Sequence, residues 1–420
     1  RAACGCAGCV SRAAGCARPV CAEQAWLPSA MAATLLIDDL ETYIGQYGTH
    51  GAIQRLGFIA SKSDRRPLQI EANRLCLDLL KRTTNTKAYT EVYTTLKDLM
   101  EGADAALPQY DSVWVEATQK QASILKDVYE QDLHQSKITQ IKETIRTCHT
   151  QLANFCTEQG DYGSALKYVS KSREYCSEPP AVFSTCMTII KLSALLRQYT
   201  DIQSFASKAQ HTPFKEEADQ SKIYAAFGLY WMTTGKYKDA AFSFCNVRMQ
   251  DLGTSFNDIL CPQDVALYGV LCALASLERS EVQAKLLDSS TFRECLDLVP
   301  QVQDLTLDFC NCRYAVCLSA LEKLKEALTL DVHLHGQVSD LCQQIRSKGM
   351  VQYFAPFLSV SLHSMAEAFN TNVEGIQSEV AQLVSKKQLD AKIDSHKKVL
   401  HVRHANQRKA TYQNAMRVSQ

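Results

Sequence analysis

Along most of the chain apolar residues recur every three or four positions, with polar residues between them. That period lays one apolar stripe along an α-helix. Leu75, Leu79 and Leu80, then Tyr89, Val92, Tyr93 and Leu96, set the phase of two early helices. Gly102 and Pro108 interrupt the period, so 102–113 is expected to be a connection. Pro179-Pro180, Pro213 and Pro262 punctuate further helices, with Pro262 in the first turn before Asp264 and the apolar run VALYGVLCALASL. After Pro300, the positions Leu305, Phe309, Cys312, Val316, Leu321, Leu324 and Leu328 predict one long helix. Stripes of this kind form cores far more often than cofactor boxes.

Three copies of one pattern stand out inside the helical stretch. Gly160, Tyr162 and Ala165 lie within Leu152–Ser172, and the pattern returns at Gly235, Tyr237 and Ala240. Between them Tyr199 and Ile202 form a middle copy that lacks the glycine. The tyrosines at 162, 199 and 237 are 37 and 38 residues apart, close to a tetratricopeptide-type period. Glycine would make the turn between paired helices, and the small or apolar residues would pack the pair. One pair cannot bury its own stripe, so stacked pairs forming a curved solenoid are predicted.

The pattern changes after Ser347. Gln352-Tyr353-Phe354 ends a helix at Pro356, Leu358–Ser361 reads as a short extended piece, and MAEAFN reads as a short helix closing at Asn370. Thr371 with Glu374 predicts a capping box that opens a helix carrying Val373, Ile376, Val380, Leu383 and Val384. AKID and VLHV then read as two strands around Ser395–Lys398. This order of elements is that of a winged helix.

Composition narrows the class. The chain has 420 residues, 46% of them apolar, so global disorder is excluded. From Met31 onward Gly and Pro together make up near 6%, against about 12% in average usage, which leaves little room for hairpin-rich folds. Lys plus Arg and Asp plus Glu are 45 each, a balance that argues against a whole-chain polyanion binder. The longest uncharged run, Gly349–Ala366, contains Gln352, Pro356 and His363, so no membrane span is expected.

Residues 1–30 hold five of the eighteen cysteines and are otherwise mostly Ala, Gly, Arg and Pro. They are expected to be a translated, disordered leader with the start at Met31; a transit peptide is the alternative. Cys4, Cys6 and Cys9 lack a second ligand pair, so no metal is assigned to them. The other thirteen cysteines sit in apolar helical stretches and read as buried reduced thiols.

These segments together resemble the PCI family, which includes subunits of the proteasome lid, the COP9 signalosome and a translation initiation factor. Ile37–Ser63 (IDDLETYIGQYGTHGAIQRLGFIASKS) is similar to the N-terminal helix pair of the signalosome subunit 1 branch. CPQDVALYGVLCALASLERSE, IRSKGMVQYFAPFLSVSLHSMAEAFNTNVE and AKIDSHKKVLHVR are similar to its PCI domain, so the resemblance covers about residues 37–420. Cys261 stands where that branch has Ser before the proline, which predicts a weaker helix cap. The branch continues past the position of Gln420, so the last helix is expected to be cut short.

The resulting expectation is an all-α dominated chain. A helical-repeat region covers 31–234, a PCI domain covers 235–404 with its winged helix at about 340–404, and a C-terminal helix starts at 405–420. The resemblance implies a non-catalytic scaffold without cofactor, placed in cytoplasm and nucleus. It would support cullin deneddylation and the regulation of cullin-RING ubiquitin ligases, with the metalloprotease in another subunit. The alternatives are a proteasome-lid subunit of the same architecture and a nucleic-acid-binding winged-helix protein.

Candidate chemistry fits the scaffold reading. The isopeptidase metal motif needs H-x-H, seven residues, then S-x-x-D; after His333 and His335 those later positions are Gln343 and Arg346. The two histidines are expected to be a polar pair at a helix end. There is no HExxH, GxGxxG or GxxxxGK, and no G-x-S-x-G elbow. The helix over 372–387 carries Glu374 and Glu379 and no basic residue before Lys386, which disfavours major-groove reading. Residues 386–420 carry a net +7 and 31–385 a net −9, a layout that suits an acidic protein partner, then a solvated tail, and least of all RNA. Partner docking is expected at Val399, Leu400 and Val402, taken as a sheet edge, and at Tyr412 and Met416, taken as one stripe of the last helix.

Overall fold

A computed structural model describes residues 39–101, 107–213, 217–253, 256–402 and 415–416. The leader at 1–30, Tyr412 and most of 405–420 therefore lie outside the described residues. The helices are joined by turns whose chemistry is visible in the repeat. Tyr162, Tyr199 and Tyr237 each open a helix: Tyr162–Arg173, Tyr199–Gln210 and Tyr237–Cys245. Two residues before each tyrosine the backbone is left-handed, with φ of 75° at Gly160, 58° at Arg197 and 78° at Gly235. Each turn closes the preceding helix with a pair of crossed hydrogen bonds. Asp161 N donates to Cys156 O and Gly160 N to Thr157 O; Gln198 N to Ser193 O and Arg197 N to Ala194 O; Lys236 N to Trp231 O and Gly235 N to Met232 O. The middle copy keeps the conformation without the glycine, and Arg197 carries the strain.

A fourth copy was not apparent from the pattern of residues. Cys312 has φ of 60°, Arg313 N donates to Asp308 O, and Tyr314 opens the helix Tyr314–Thr329. It lies 77 residues after Tyr237, about two periods on. This turn corrects the single long helix expected after Pro300. The structure has two helices, Pro300–Cys310 and Tyr314–Thr329, and leaves Val316 exposed.

Consecutive helices pack against one another from Thr49–Lys62 to Tyr237–Cys245. An N-terminal cluster gathers Leu40, Leu56, Leu80, Tyr89 and Leu96. The largest cluster runs from Ile190 through the repeat helices to Leu400 in the winged helix, so those parts share one core. Its axis is Pro262–Ser276, in which every residue from Asp264 to Ala275 is buried. That all-round burial explains the uninterrupted apolar run after Asp264.

The winged helix closes the chain. Strand β1 (Ser359–Ser361) leads into the helix Leu362–Ala368, the helix Val373–Ser385 follows, and β2 (Ala391–Asp394) and β3 (Val399–Val402) form the hairpin. The Val373–Ser385 helix is capped by Asn372, whose side chain accepts from Gly375 N at 2.9 Å. The cap expected at Thr371 is thus one residue late; Thr371 instead receives Arg346 on its hydroxyl at 2.6 Å. The three strands are antiparallel in the order β1-β3-β2. This corrects the placement of Val399–Val402 at a sheet edge: β3 is the central strand, with Leu400 opposite Val360 on one side and Ile393 on the other. Leu400 fills the core from one face of β3 while His401 stays exposed on the other, so this antiparallel sheet keeps one face toward water. The open edges among the described residues are those of β1 and β2.

Candidate functional site

The most heavily built polar site ties the N-terminal helices to the middle of the chain. Gly48 and Gly51 let the Thr49–Lys62 helix approach residue 258 closely. A Cβ on Gly51 would lie 2.3 Å from the Asp258 carbonyl oxygen. Gly48 N donates to Asn257 O at 3.3 Å, and Lys191 pairs with Asp258 at 2.5 Å from the repeat side. One turn further along the helix, Arg55 enters the interior with 2% of its surface exposed. Its guanidinium donates to Asp264 at 2.8 Å and to Asp331 at 3.0 Å, and it lies 4.1 Å over the Tyr47 ring.

Further donors reach both carboxylates. Tyr47 OH donates to Asp264 at 2.7 Å, and Cys261 N donates to it at 3.1 Å. That second bond gives the Pro262 helix its cap from Asp264, whatever the weakness of the Cys261 thiol as an acceptor. Asp331 accepts from Tyr268 OH at 2.8 Å, His333 N at 2.8 Å and Leu334 N at 2.9 Å. Burial pushes both carboxyls upward. For Asp331, the Arg55 charge, His333 and its donors outweigh burial and hold it below the usual range. Asp264 has fewer donors, and burial leaves it raised. Two carboxylates sharing one cation divide in this way because both cannot be fully compensated. Nothing local in the sequence marks this role of Arg55, since its partners lie 209 and 276 residues away.

His333 belongs to the same network. It is 5% exposed and hydrogen-bonds Tyr199 OH through Nδ1 at 3.2 Å. Burial and the nearby Arg55 charge lower its pKa to about 3, so it is neutral. This corrects the reading of His333 and His335 as a helix-end pair. His333 is a core residue of the turn between two helices, while His335 is exposed and its Nδ1 sits 2.8 Å from Thr329 O. Among the described residues no group of His, Cys, Asp or Glu is arranged to hold a metal.

The other residues singled out by the sequence fall into two places. Ala165 and Ala240 are fully buried between helices, and Tyr237 is 3% exposed. The hydroxyls of the turn tyrosines reach beyond their own repeats: Tyr162 toward His50 at 3.5 Å, and Tyr237 to Asp340 at 2.6 Å. In the winged helix Leu400 is fully buried, Val399 and Val402 are half-buried, and Met416 is 50% exposed. Glu379 on the would-be recognition helix is engaged by Arg346 at 2.8 Å. The exposed apolar residues of this region are Phe357 and Leu358, at 43% and 69%, immediately before β1. No helix among the described residues is long and apolar enough to cross a membrane.

Comparison with known proteins agrees with this architecture. Residues 111–285 match the family model of 26S proteasome subunit RPN7, and residues 321–404 match the PCI domain. The chain is 38% identical over 382 residues to COP9 signalosome complex subunit 1 of Arabidopsis thaliana, covering 90% of this chain and 86% of the relative. It is 31% identical to subunit 1b of Drosophila melanogaster, over 90% of this chain and 81% of that one. A proteasome relative, 26S proteasome non-ATPase regulatory subunit 6 of Oryza sativa subsp. japonica, is 29% identical over 47% of this chain and 50% of its own length. With the match to signalosome proteins running through both the helical repeats and the winged helix, the chain belongs to the COP9 signalosome subunit 1 family.

Proposed function

We propose that this chain is a non-catalytic scaffold subunit of the COP9 signalosome. It would support cullin deneddylation and the regulation of cullin-RING ubiquitin ligases in cytoplasm and nucleus by holding other subunits together. The observation that carries this reading is similarity to signalosome subunit 1 proteins along about nine-tenths of the chain. The rigid buried network around Arg55 suits a scaffold, whose work is to keep distant surfaces at fixed separation.

The docking surface is the outer edge of β1. Leu358 O accepts from Val402 N, and Leu362 N donates to Lys398 O, so residues 358, 360 and 362 face β3. The backbone groups of Ser359 and Ser361 then point away from the sheet. No charge lies on β1, whereas β2 carries Lys392 and Asp394, the residues that blunt an edge. Exposed Phe357 and Leu358 extend the β1 edge with apolar surface. Pairing of this edge with a neighbouring PCI subunit is β-augmentation. Tyr412 and Met416 remain the proposed stripe for partner tails.

A second reading, the proteasome lid, is favoured by the RPN7 match at 111–285 and by the 29% identity to the Oryza sativa proteasome relative over 47% of the chain. Affinity purification of the tagged full chain from its own cells, with peptide identification, separates the two. Co-purification of signalosome subunits supports the first reading, and lid subunits in their place overturn it.

A further inference from the structure

A cleft of roughly 600 Å³ opens beside the solenoid, where the helices Glu217–Thr233 and Tyr237–Cys245 meet the segment Gln283–Leu287 and the start of Ser290–Leu296. This is the size of a small-ligand pocket. Among the described residues its walls carry Ser221, Asn246, Arg248, Lys285, Ser289 and Thr291, and no carboxylate. Asp251 accepts from Ser221 Oγ at 2.9 Å. Gln283–Leu287 is a π-helix, a wide turn that costs hydrogen-bond geometry and recurs at binding sites. It brings Lys285 to the cleft wall.

Several donors there have capacity left. Lys285 Nζ lies 4.5 Å over the Phe242 ring, a contact that uses none of its N–H groups in a hydrogen bond. Ser289 Oγ and Thr291 Oγ1 are 2.9 Å apart, so one hydroxyl donates to the other and the second proton is left for a ligand. Asn246 Nδ2 donates to Phe242 O at 2.8 Å with one of its two N–H groups. The Cys245 thiol on the same wall is pushed up to about 12 by burial and stays neutral.

We propose that this cleft binds a phosphate group carried by a small molecule or a peptide. A point-like ammonium with hydroxyl and amide donors set at several angles suits a tetrahedral dianion. The scaffold thereby gains a site for a phosphorylated ligand, away from the winged helix.

Titration calorimetry of the full chain at low salt tests this with two probes, inorganic pyrophosphate and a phosphoserine peptide, against the unphosphorylated peptide. Saturable binding of pyrophosphate alone identifies a free small polyanion as the ligand class. Binding of the peptide only when phosphorylated identifies a peptide-borne phosphate. In either case Lys285→Gln and Ser289→Asp should each weaken binding by about tenfold or more and leave the melting temperature unchanged. Asn246→Asp, at an exposed position, gives the same reading if Lys285→Gln melts early through loss of the Phe242 contact. The proposal is overturned if neither probe binds at millimolar concentration, or if the folded variants bind as tightly as the wild type.

Discussion

At the scale of single residues, backbone conformation decides more than chemistry. Gly160 and Gly235 both have positive φ, where an L side chain costs roughly 1–2 kcal/mol. A Cβ on Gly235 meets open space, so Gly235→Ala should lower stability by only that amount. A Cβ on Gly160 would lie 2.1 Å from Asn85 Nδ2, and Asn85 caps the distant helix Thr86–Met100 through Ala88 N at 3.1 Å. Gly160→Ala should therefore cost clearly more, read as a larger drop in urea midpoint; equal drops would contradict the account. His333 makes a prediction in pH. Its folded pKa of about 3 is below the unfolded value near 6.5, so the unfolded state binds the extra proton between them. Stability from this group is present above the unfolded value and falls toward ~1.4 kcal/mol per unit as pH drops below it. His333→Gln should show a shallower loss of urea midpoint between neutral and mildly acid pH. Equal slopes in both proteins would show that His333 is not held neutral.

At the scale of elements, helices join where small residues allow close approach. Ala240 lies fully buried where the Tyr237–Cys245 helix packs on its neighbours, and Ala240→Phe should overpack it at a cost of ~1–3 kcal/mol. A thermal melt unchanged within error would remove Ala240 from that contact. The Arg55 tie is costlier to break. Arg55→Met leaves two buried carboxylates without their cation and should destabilise the chain by ~3–5 kcal/mol in urea unfolding. A change under about 1 kcal/mol would mean that water already reaches the network. These elements were unequally legible in the sequence. AKID and VLHV gave their strands to the residue, because alternation is local. The order of the strands was not legible, since β1 and β3 are separated by two helices and pairing across them leaves no local pattern. The apolar residues of VLHV, read as an unpaired edge, do not tell an edge strand from a central one, because they report which faces are covered and not which edges are paired. Cys312 hid the fourth turn because no glycine marks it, and Arg55 hid its role because a charge on a helix ordinarily faces water.

At the scale of the whole molecule, the later repeat helices, from Ile190 on, and the winged helix share one continuous core, which gives a body able to hold docking surfaces at fixed positions. The central claim is that this body works by assembly through the β1 edge. Ser359→Pro removes one outward N–H from that edge and leaves the bonds of Leu358 and Leu362 to β3 in place. The most direct measurement is quantitative co-purification of signalosome subunits with tagged wild-type and Ser359→Pro chains, matched for circular dichroism and melting temperature. The account predicts that the variant folds normally and loses its neighbouring PCI subunit by about tenfold or more, the scale of ~1.4 kcal/mol. A folded Ser359→Pro chain that retains that subunit at wild-type stoichiometry would contradict it.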